Sequence, residues 1–254
     1  MFQLPLKISL DSSATLKSFF VGSNTELIEK LRAYTEDSSF LVETKEVDEV
    51  DTKLSDSSFI SLDTTNMLFI WGNHSSGKTH LAQAICRIFD HSTNKTCVYL
   101  PLNNEQISHH ILDGLADIDL VCIDSLEYVR GNDEWQVALF NLYNELKDSD
   151  KKLVIFSRET PLQMQLELAD LTSRLSSMSI YKLNEIDDEH LVEFIQTIGK
   201  NAGVEINIEV ANFILNRSDR SIINLKTIIT KLDEQSLAHH RKVTIPFVKE
   251  ILKI

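Results

Sequence analysis

The sequence of 254 residues predicts an α/β fold, in which helices cover both faces of a parallel sheet, followed by a small all-helical domain. Three observations lead to this fold class. Short apolar runs alternate with segments of helical periodicity, these runs are apolar on both faces, and they stop near residue 184. Strands that are apolar on both faces are typical of parallel sheets, which are buried on both sides.

Four short runs rich in Val, Ile and Leu are predicted to be buried strands: MLFIWG (67–72), CVYLPL (97–102), LVCID (120–124) and KLVIFS (152–157). The strand signal stops after SIYKLN (179–184). A helix is predicted for NDEWQVALFNLYNELK, with Asn132 as its N-cap and acidic residues in its first turn. Its Trp135, Leu139, Leu142 and Leu146 fall on one face, which predicts the side that packs on the sheet.

The C-terminal part has only helical periodicity. The segment DDEHLVEFIQTIGK places Leu191, Phe194, Ile195 and Ile198 at helical spacing, and Ile222, Leu225, Ile229 and Leu232 share a face further on. We therefore predict a nucleotide-binding α/β domain over 11–183, preceded by a peptide at 1–10 and followed by a helical domain at 184–254.

An acidic insertion interrupts the first domain at 36–66. Between Glu36 and Asp63 there are nine acidic residues and two lysines, which supply −7 of the total net charge of −13. Serines fill much of the remainder, and this composition predicts a solvated loop, although an acidic partner-binding element is also compatible with it.

The composition argues against several protein classes. A net charge of −13 disfavours binding to a nucleic-acid backbone unless a local basic patch is present, and no such run of Lys and Arg occurs. No run approaches the roughly 18 apolar residues that predict a membrane span. The N-terminal MFQLPLKISL lacks the features of a signal peptide. We expect a cytoplasmic protein with no membrane association and no strong direct DNA binding.

Cysteine and histidine spacings predict no metal site of their own. Cys86, Cys97 and Cys122 lie in apolar runs at spacings that fit no zinc ligand set, so free thiols are expected. The pairs His109-His110 and His239-His240 are adjacent, and adjacent side chains on a helix are expected to point apart.

The segment GNHSSGKT (72–79) carries the strongest chemical signal. Gly72, Gly77, Lys78 and Thr79 stand at the G-x-x-x-x-G-K-T spacing, after a predicted strand and before a predicted helix. Backbone N–H groups of the loop and the helix N-terminus then point at one phosphate site, where Ser76 lies in the same loop. Lys78 suits the β- and γ-phosphates, and the Thr79 hydroxyl suits Mg²⁺.

A neighbouring strand end supplies the expected metal partner. LVCID ends in Asp124, which with Thr79 is the predicted Mg²⁺ pair when nucleotide is bound. The next residue, Ser125, stands where a second acid would orient water, and a serine hydroxyl is too weak a base for that role. Glu127 could reach inward. Ser157 is either a residue that contacts the terminal phosphate or an ordinary strand-end serine.

These motifs resemble the bacterial replication initiator DnaA and its relatives among the AAA+ ATPases. GKTHLAQA resembles their phosphate loop, which adds His80 to the predicted nucleotide contacts. SFFVGSNTELIEKL (18–31) resembles the segment that packs on adenine, which adds Val21 and Gly22. LVCIDSLEYV, DEWQVALFNLYNEL, DLTSRL, IYKL and KVTIPFVKEIL are most similar to the Hda proteins, the regulatory inactivators of DnaA.

The Hda resemblance implies three further sites. DLTSRLSS puts Arg174 at the position of an arginine finger that acts on a neighbouring subunit; an ion pair with Glu167 or Asp170 is the alternative. QLPLKI places Gln3, Leu4, Leu6 and Ile8 in a peptide that binds the sliding clamp. The lid arginine of the relatives is replaced by Ile223, and Arg220, one turn earlier, is the candidate substitute.

The resemblance implies a negative regulator of replication initiation. Such a protein holds ADP or ATP with Mg²⁺, has a weak ATPase activity of its own, docks on the sliding clamp, and stimulates hydrolysis of the ATP bound to DnaA. Its partners are then the clamp and DnaA, with self-association left open. Two alternatives remain: a DnaA-like initiation factor or helicase loader acting on DNA, and a stand-alone P-loop ATPase or kinase. In DnaA, the segment that resembles KVTIPFVKEIL is followed by a helix-turn-helix DNA-binding domain, and we expect no such domain in this protein.

Overall fold

A computed structural model describes residues 10–11, 14–35, 66–92, 95–239 and 241–253. The helices and strands of the first domain are α1 (Thr25–Thr35), β1 (Met67–Trp71), α2 (Lys78–Ser92), β2 (Cys97–Pro101), β3 (Leu120–Asp124), α3 (Asp133–Asp148), β4 (Lys152–Ser157), α4 (Ala169–Ser176) and β5 (Ser179–Lys182). The second domain contains α5 (Leu191–Ala202), α6 (Ile208–Arg217), α7 (Ile222–His239) and α8 (Ile245–Leu252).

The five strands form one parallel sheet in the order β2-β3-β4-β1-β5. Successive residues of each central strand enter different cores, because side chains of a strand alternate between its faces. In β1, Leu68 and Ile70 pack on the side of α1 and α2, whereas Met67 and Phe69 pack on the side of α3 and α4. The prediction of a parallel sheet covered on both faces is therefore confirmed.

Local signals in the sequence explain where the helices begin. The Asn132 side chain accepts a hydrogen bond from the Trp135 backbone N–H at 3.2 Å, which confirms the predicted N-cap of α3. In the lid, the Asn207 side chain accepts from the Val210 N–H at 2.8 Å and caps α6 in the same way. Gly203 ends α5 in a left-handed conformation with φ of 94°.

The helical lid has its own core. Phe194, Ile195, Ile214, Leu225 and Phe247 are buried together between its helices.

The connection between the two domains is tied to the chain ahead of α1. The Asn24 side chain is buried and makes two hydrogen bonds with the Asn184 backbone, accepting from its N–H at 2.8 Å and donating to its carbonyl at 3.1 Å. Phe20 reaches the lid and meets Phe194 edge to face, with ring centroids 5.7 Å apart. The segment before α1 thus fixes the lid relative to the sheet.

The adjacent histidines His109 and His110 and the three cysteines can be compared with what the sequence predicted. His109 and His110 lie on a 3₁₀ helix with ring centroids 4.1 Å apart, so the expectation that they point apart was wrong. Their acidic neighbours, Glu134 and Asp113, each lie 3.3 Å from one ring nitrogen. The three cysteines are free thiols, as expected.

Within the described residues, none of the helices has the length and apolar character required to cross a membrane. The clamp-peptide residues Gln3, Leu4, Leu6 and Ile8 lie outside the described part of the chain, as does the acidic insertion except for Asn66.

Candidate nucleotide-binding site

The loop between β1 and α2 has the shape that a phosphate requires. Gly77 adopts a φ of 99°, which favours glycine, and a Cβ there would lie 2.7 Å from the Phe19 ring. A Cβ on Gly72 would lie 2.5 Å from the Leu183 carbonyl oxygen. Both glycines are therefore required by close approach, and the loop leads into the N-terminus of α2, where backbone N–H groups can bind an anion.

The Lys78 ammonium lies within this loop. It donates to the carbonyls of Gly72 at 2.7 Å and Asn73 at 2.6 Å, with the Ser76 hydroxyl at 3.4 Å. Burial lowers the pKa of Lys78, while the charges of Glu127 and Asp124 oppose that shift. A phosphate in the loop would replace weak carbonyl partners with a full negative charge, so the residue is well placed to bind one.

Thr79 and Asp124 lie together at the carboxyl end of the sheet. The Thr79 hydroxyl donates to Asp124 Oδ2 at 2.7 Å, and the Tyr99 hydroxyl donates to the same oxygen at 3.0 Å. Burial raises the pKa of Asp124, whereas these two hydrogen bonds lower it. A hydroxyl and a carboxylate in contact are suitable oxygen ligands for Mg²⁺. Tyr99 could not be singled out from the sequence, because a tyrosine inside a buried strand has no distinctive spacing.

The segment ahead of α1 covers the loop from the side. The His80 ring lies 5.6 Å from the Phe19 ring, and its Nε2 donates to the Thr15 carbonyl at 2.9 Å. Burial lowers the pKa of His80. A small cavity of about 60 Å³ lies here, lined among others by Ser18, Phe19 and Phe20.

Two predicted contacts in this segment lie beside that cavity and do not line it. Val21 is partly buried against the core below α1 and α2, and Gly22 turns the chain with a φ of 48°. The residues of this segment that do line the cavity are Ser18, Phe19, Phe20 and Asn24. Sequence patterns singled out none of these four, and the contact of the segment with a base stays a prediction.

The lid supplies the opposite wall of a second, larger cleft of about 330 Å³ next to the phosphate loop. Ile222, Ile223 and Lys226 of α7 line it. The structure does not bring Arg220 there, because its guanidinium pairs with Asp188 at 3.2 Å. Desolvation lowers the pKa of Lys226, and Asp11 opposes the shift. Lys226 lines both cavities and was missed, since its spacing matches no lid motif.

The end of the cleft beyond Asp124 contains an ion pair. Glu127 points inward and lies 2.9 Å from Arg158 Nε, and both residues line the cleft together with Ser125. Ser125 adopts a left-handed φ of 65°, which turns the chain so that Glu127 can face the loop. Ser157 is fully buried behind this pair, where its hydroxyl donates to Glu127 Oε2 at 3.4 Å.

Arg174 lies away from both cavities. It is exposed near the end of α4, and its guanidinium carbon lies 5.9 Å from the centre of the Phe140 ring. Among the described residues, no acidic side chain forms an ion pair with it; Glu167 instead accepts from the Gln136 side chain and the Gly131 backbone. The structure therefore contains no ion pair between Arg174 and Glu167 or Asp170, and that alternative was wrong.

The family comparisons agree with this geometry. Residues 50–181 match the family described as the bacterial DnaA ATPase domain, and residues 187–252 match the family described as the Hda lid domain. A protein of Haemophilus influenzae that is described only as uncharacterized is 35% identical over 254 residues, with 99% of each chain covered.

The chain is an Hda-like, DnaA-related AAA+ protein.

Solved structures of this AAA+ family share the fold. Domain III of the Thermotoga maritima replication initiation protein DnaA superimposes with a TM-score of 0.73 at 22% identity, covering 96% of this chain and 98% of that one. The AMPPCP-bound DnaA of Aquifex aeolicus gives a TM-score of 0.68 at 20% identity, covering 89% of this chain and 67% of that one. The predicted fold class, an AAA+ sheet with a helical lid, is confirmed.

Proposed function

We propose that this Hda-like protein switches off replication initiation by stimulating hydrolysis of the ATP bound to DnaA. It holds its own nucleotide, ADP with Mg²⁺, in the cleft between the phosphate loop and the lid. It docks on the DNA-loaded sliding clamp in the cytoplasm and presents Arg174 to the nucleotide of a neighbouring DnaA. The product, ADP-DnaA, no longer initiates.

The position of Arg174 carries this proposal. The residue is exposed, forms no ion pair among the described residues and does not line either cavity around the phosphate loop of its own chain. An arginine that cannot serve its own site is available to a neighbour. Its planar guanidinium neutralises charge that builds on a transferring phosphoryl group, an effect worth roughly 10³–10⁵ in rate in other nucleotide hydrolases.

DnaA is the proposed neighbour because the two proteins share a fold. In AAA+ assemblies the active site lies between adjacent subunits, and repeated head-to-tail packing brings the same surfaces together at each contact. The likeness of this chain to DnaA domain III, at a TM-score of 0.73, supports a DnaA subunit as the partner that accepts Arg174.

The nucleotide of this protein has a structural role in the proposal. Lys78 and the loop N–H groups would hold the phosphates, Thr79 and Asp124 would hold Mg²⁺, and Phe19 would face the base. Lys226 supplies the cation of the lid in place of Arg220, because it alone of these two lines the cleft. This protein hydrolyses its own bound ATP slowly, because Ser125 stands in place of the acid that would orient the attacking water.

Clamp binding is assigned to residues 1–10. In QLPLKI, the Gln3 amide can make paired hydrogen bonds while Leu4, Leu6 and Ile8 fill apolar pockets. Pro5 restricts the free peptide and so lowers the cost of ordering it on the clamp.

The test is single-turnover hydrolysis of ATP-DnaA. DnaA loaded with γ-labelled ATP is mixed with clamp loaded on DNA, with and without this protein. We expect phosphate release to accelerate only when protein and loaded clamp are both present. Control reactions omit the clamp, omit the DNA, or contain clamp that has not been loaded on DNA. A rate that stays at the intrinsic value of DnaA, together with tight duplex binding by this protein at low salt, would favour a DNA-acting initiation factor instead.

A further inference from the structure

Gln136 is a buried polar residue whose side chain bonds the start of α4, the helix that carries Arg174. The residue is fully buried. Its Oε1 accepts from the Leu168 backbone N–H at 2.9 Å. Its Nε2 donates to the Val129 carbonyl at 3.3 Å and to a carboxylate oxygen of Glu167. Because a buried polar group that loses a partner is costly, these hydrogen bonds fix the orientation of the amide.

The start of α4 has no capping side chain of its own. Leu168 is the N-cap residue, and its side chain makes no capping hydrogen bond. In a capping box the third helical residue bonds back to the N-cap N–H, but that residue is Leu171 here and has no polar side-chain atom. Gln136 makes this hydrogen bond instead, from the neighbouring helix α3. The first turn of α4 is thus held by α3 rather than by its own sequence.

One face of α3 contacts α4 at several points. Gln136, Phe140 and Tyr143 lie four and three residues apart, which places them on the same face of the helix. The Phe140 ring centre lies 5.9 Å from the Arg174 guanidinium carbon. The Tyr143 hydroxyl lies 3.1 Å from the Ser177 hydroxyl, which donates to the Arg174 carbonyl at 2.7 Å. α4 is therefore fixed to α3 at both ends, and the link at its C-terminal end includes the Arg174 backbone.

We infer that Gln136 is a positioning residue for Arg174, because it fixes the helix from which the guanidinium is presented to a neighbouring nucleotide. The inference rests on the proposed function, in which Arg174 acts on ATP bound to DnaA. Gln136 is buried, so it acts only through α4 and does not contact that partner. The rate of phosphoryl transfer is sensitive to the placement of the helix, since a displacement of about 1 Å can cost about 100-fold.

The experiment measures single-turnover hydrolysis of ATP-DnaA, with clamp loaded on DNA, at increasing concentrations of the full-length protein. These data give a maximal rate and a half-saturating concentration. Gln136→Met keeps the length of the side chain and removes its hydrogen bonds. We expect the maximal rate to fall about 10- to 100-fold, while the half-saturating concentration stays within about threefold, because the guanidinium is displaced and the docking surfaces are kept.

Amide hydrogen exchange checks the physical cause without reference to activity. Peptides that cover residues 168–176 should exchange faster in Gln136→Met, because the first turn of α4 has lost its tie to α3. Unchanged exchange there would show that Gln136 does not fix the helix.

The matched control is Gln196→Met in the lid. The Gln196 side chain donates to the Ile206 carbonyl at 3.1 Å, so the same substitution removes a partly buried hydrogen bond in the other domain. Its maximal rate should stay within about twofold of wild type even where Tm falls. A second variant, Ser177→Ala, removes the exposed hydroxyl at the other end of α4 and serves if Gln136→Met does not fold. Its maximal rate should fall about threefold or more, and an unchanged rate would contradict the inference.

Three results with Gln136→Met would overturn the inference. They are a maximal rate within about twofold of wild type, a loss that Gln196→Met reproduces, and a higher half-saturating concentration at an unchanged maximal rate. If the wild-type chain stimulates DnaA in each of these cases, the proposed function stands and Gln136 loses this role. If the wild-type chain gives no stimulation, or Arg174→Ala retains it, the proposed function fails, and this inference fails with it.

Discussion

Arg174→Ala should abolish the stimulation of DnaA while leaving this protein folded and able to bind ADP. The structure sets the expected cost to stability. Arg174 is exposed, and its only ring contact among the described residues is the one with Phe140 at 5.9 Å, near the outer limit of a cation–π interaction. Such a contact is worth about 0.5 kcal/mol when exposed. For a chain of this size that corresponds to a shift of about 1–2 °C in Tm.

The expected loss of function is far larger than this loss of stability. An arginine supplied in trans contributes roughly 10³-fold or more to the rate of phosphoryl transfer, because its charge acts mainly in the transition state. The assay is single-turnover hydrolysis by ATP-DnaA with clamp loaded on DNA. Arg174→Lys should restore little, since an ammonium lacks the planar fork that meets two phosphate oxygens.

A matched control is Arg217→Ala, which removes another exposed arginine from the lid helix α6 and should leave the stimulation intact. Retention of most of the stimulation by Arg174→Ala would refute the reasoning. Arg174 would then be a surface residue, and Arg158 or Arg220 would be the next arginines to test.

Four other changes have defined outcomes. Lys78→Ala should weaken ADP binding by tenfold or more in calorimetry, because a charge-assisted contact to phosphate is lost; unchanged affinity would remove the loop from the site. Replacing Gln3 and Leu6 together with alanine should abolish pull-down by the sliding clamp with unchanged Tm and ADP affinity. Asn24→Ala removes two buried hydrogen bonds to the domain connection and should lower the free energy of unfolding by about 2 kcal/mol in urea denaturation; a change below the error of the fit would contradict that role. Asp119, whose pKa its lysine partner lowers to about 2, stabilises the fold above its ordinary pKa of 3.8, and this contribution should disappear as pH falls from about 4 to about 2. Asp119→Asn should flatten the pH dependence of Tm in that range, and an identical profile would exclude the pair as its source.

The sequence by itself determined the fold class, and the reason is hydrophobic periodicity. Runs such as MLFIWG and LVCID are apolar up to their last residue, which is typical of strands in a sheet buried on both faces. The observed strands Met67–Trp71 and Leu120–Asp124 lie within those runs. The cap of α3 was equally local, since Asn132 bonds a backbone N–H three residues away.

The phosphate loop was also determined locally. Gly72, Gly77, Lys78 and Thr79 lie within eight residues of one another, so their spacing already describes the turn that brings them together. Asp124 is further along the chain but could be predicted, because parallel strands end at the same edge of a sheet.

Only the tertiary structure decided which distant side chains face that loop. Sequence reasoning chose Arg220 for the lid, yet Arg220 pairs with Asp188 while Lys226, less than two turns further on, lines the cleft. The direction of the Glu127 side chain depends on the left-handed turn at Ser125 and on the guanidinium of Arg158, which directly follows β4. Neither feature is marked by a sequence pattern. Hydrophobic periodicity shows which face of a helix or strand is buried. The contacts of a polar side chain across a cleft depend instead on how two domains pack. That packing results from many weak contacts distributed along the whole chain.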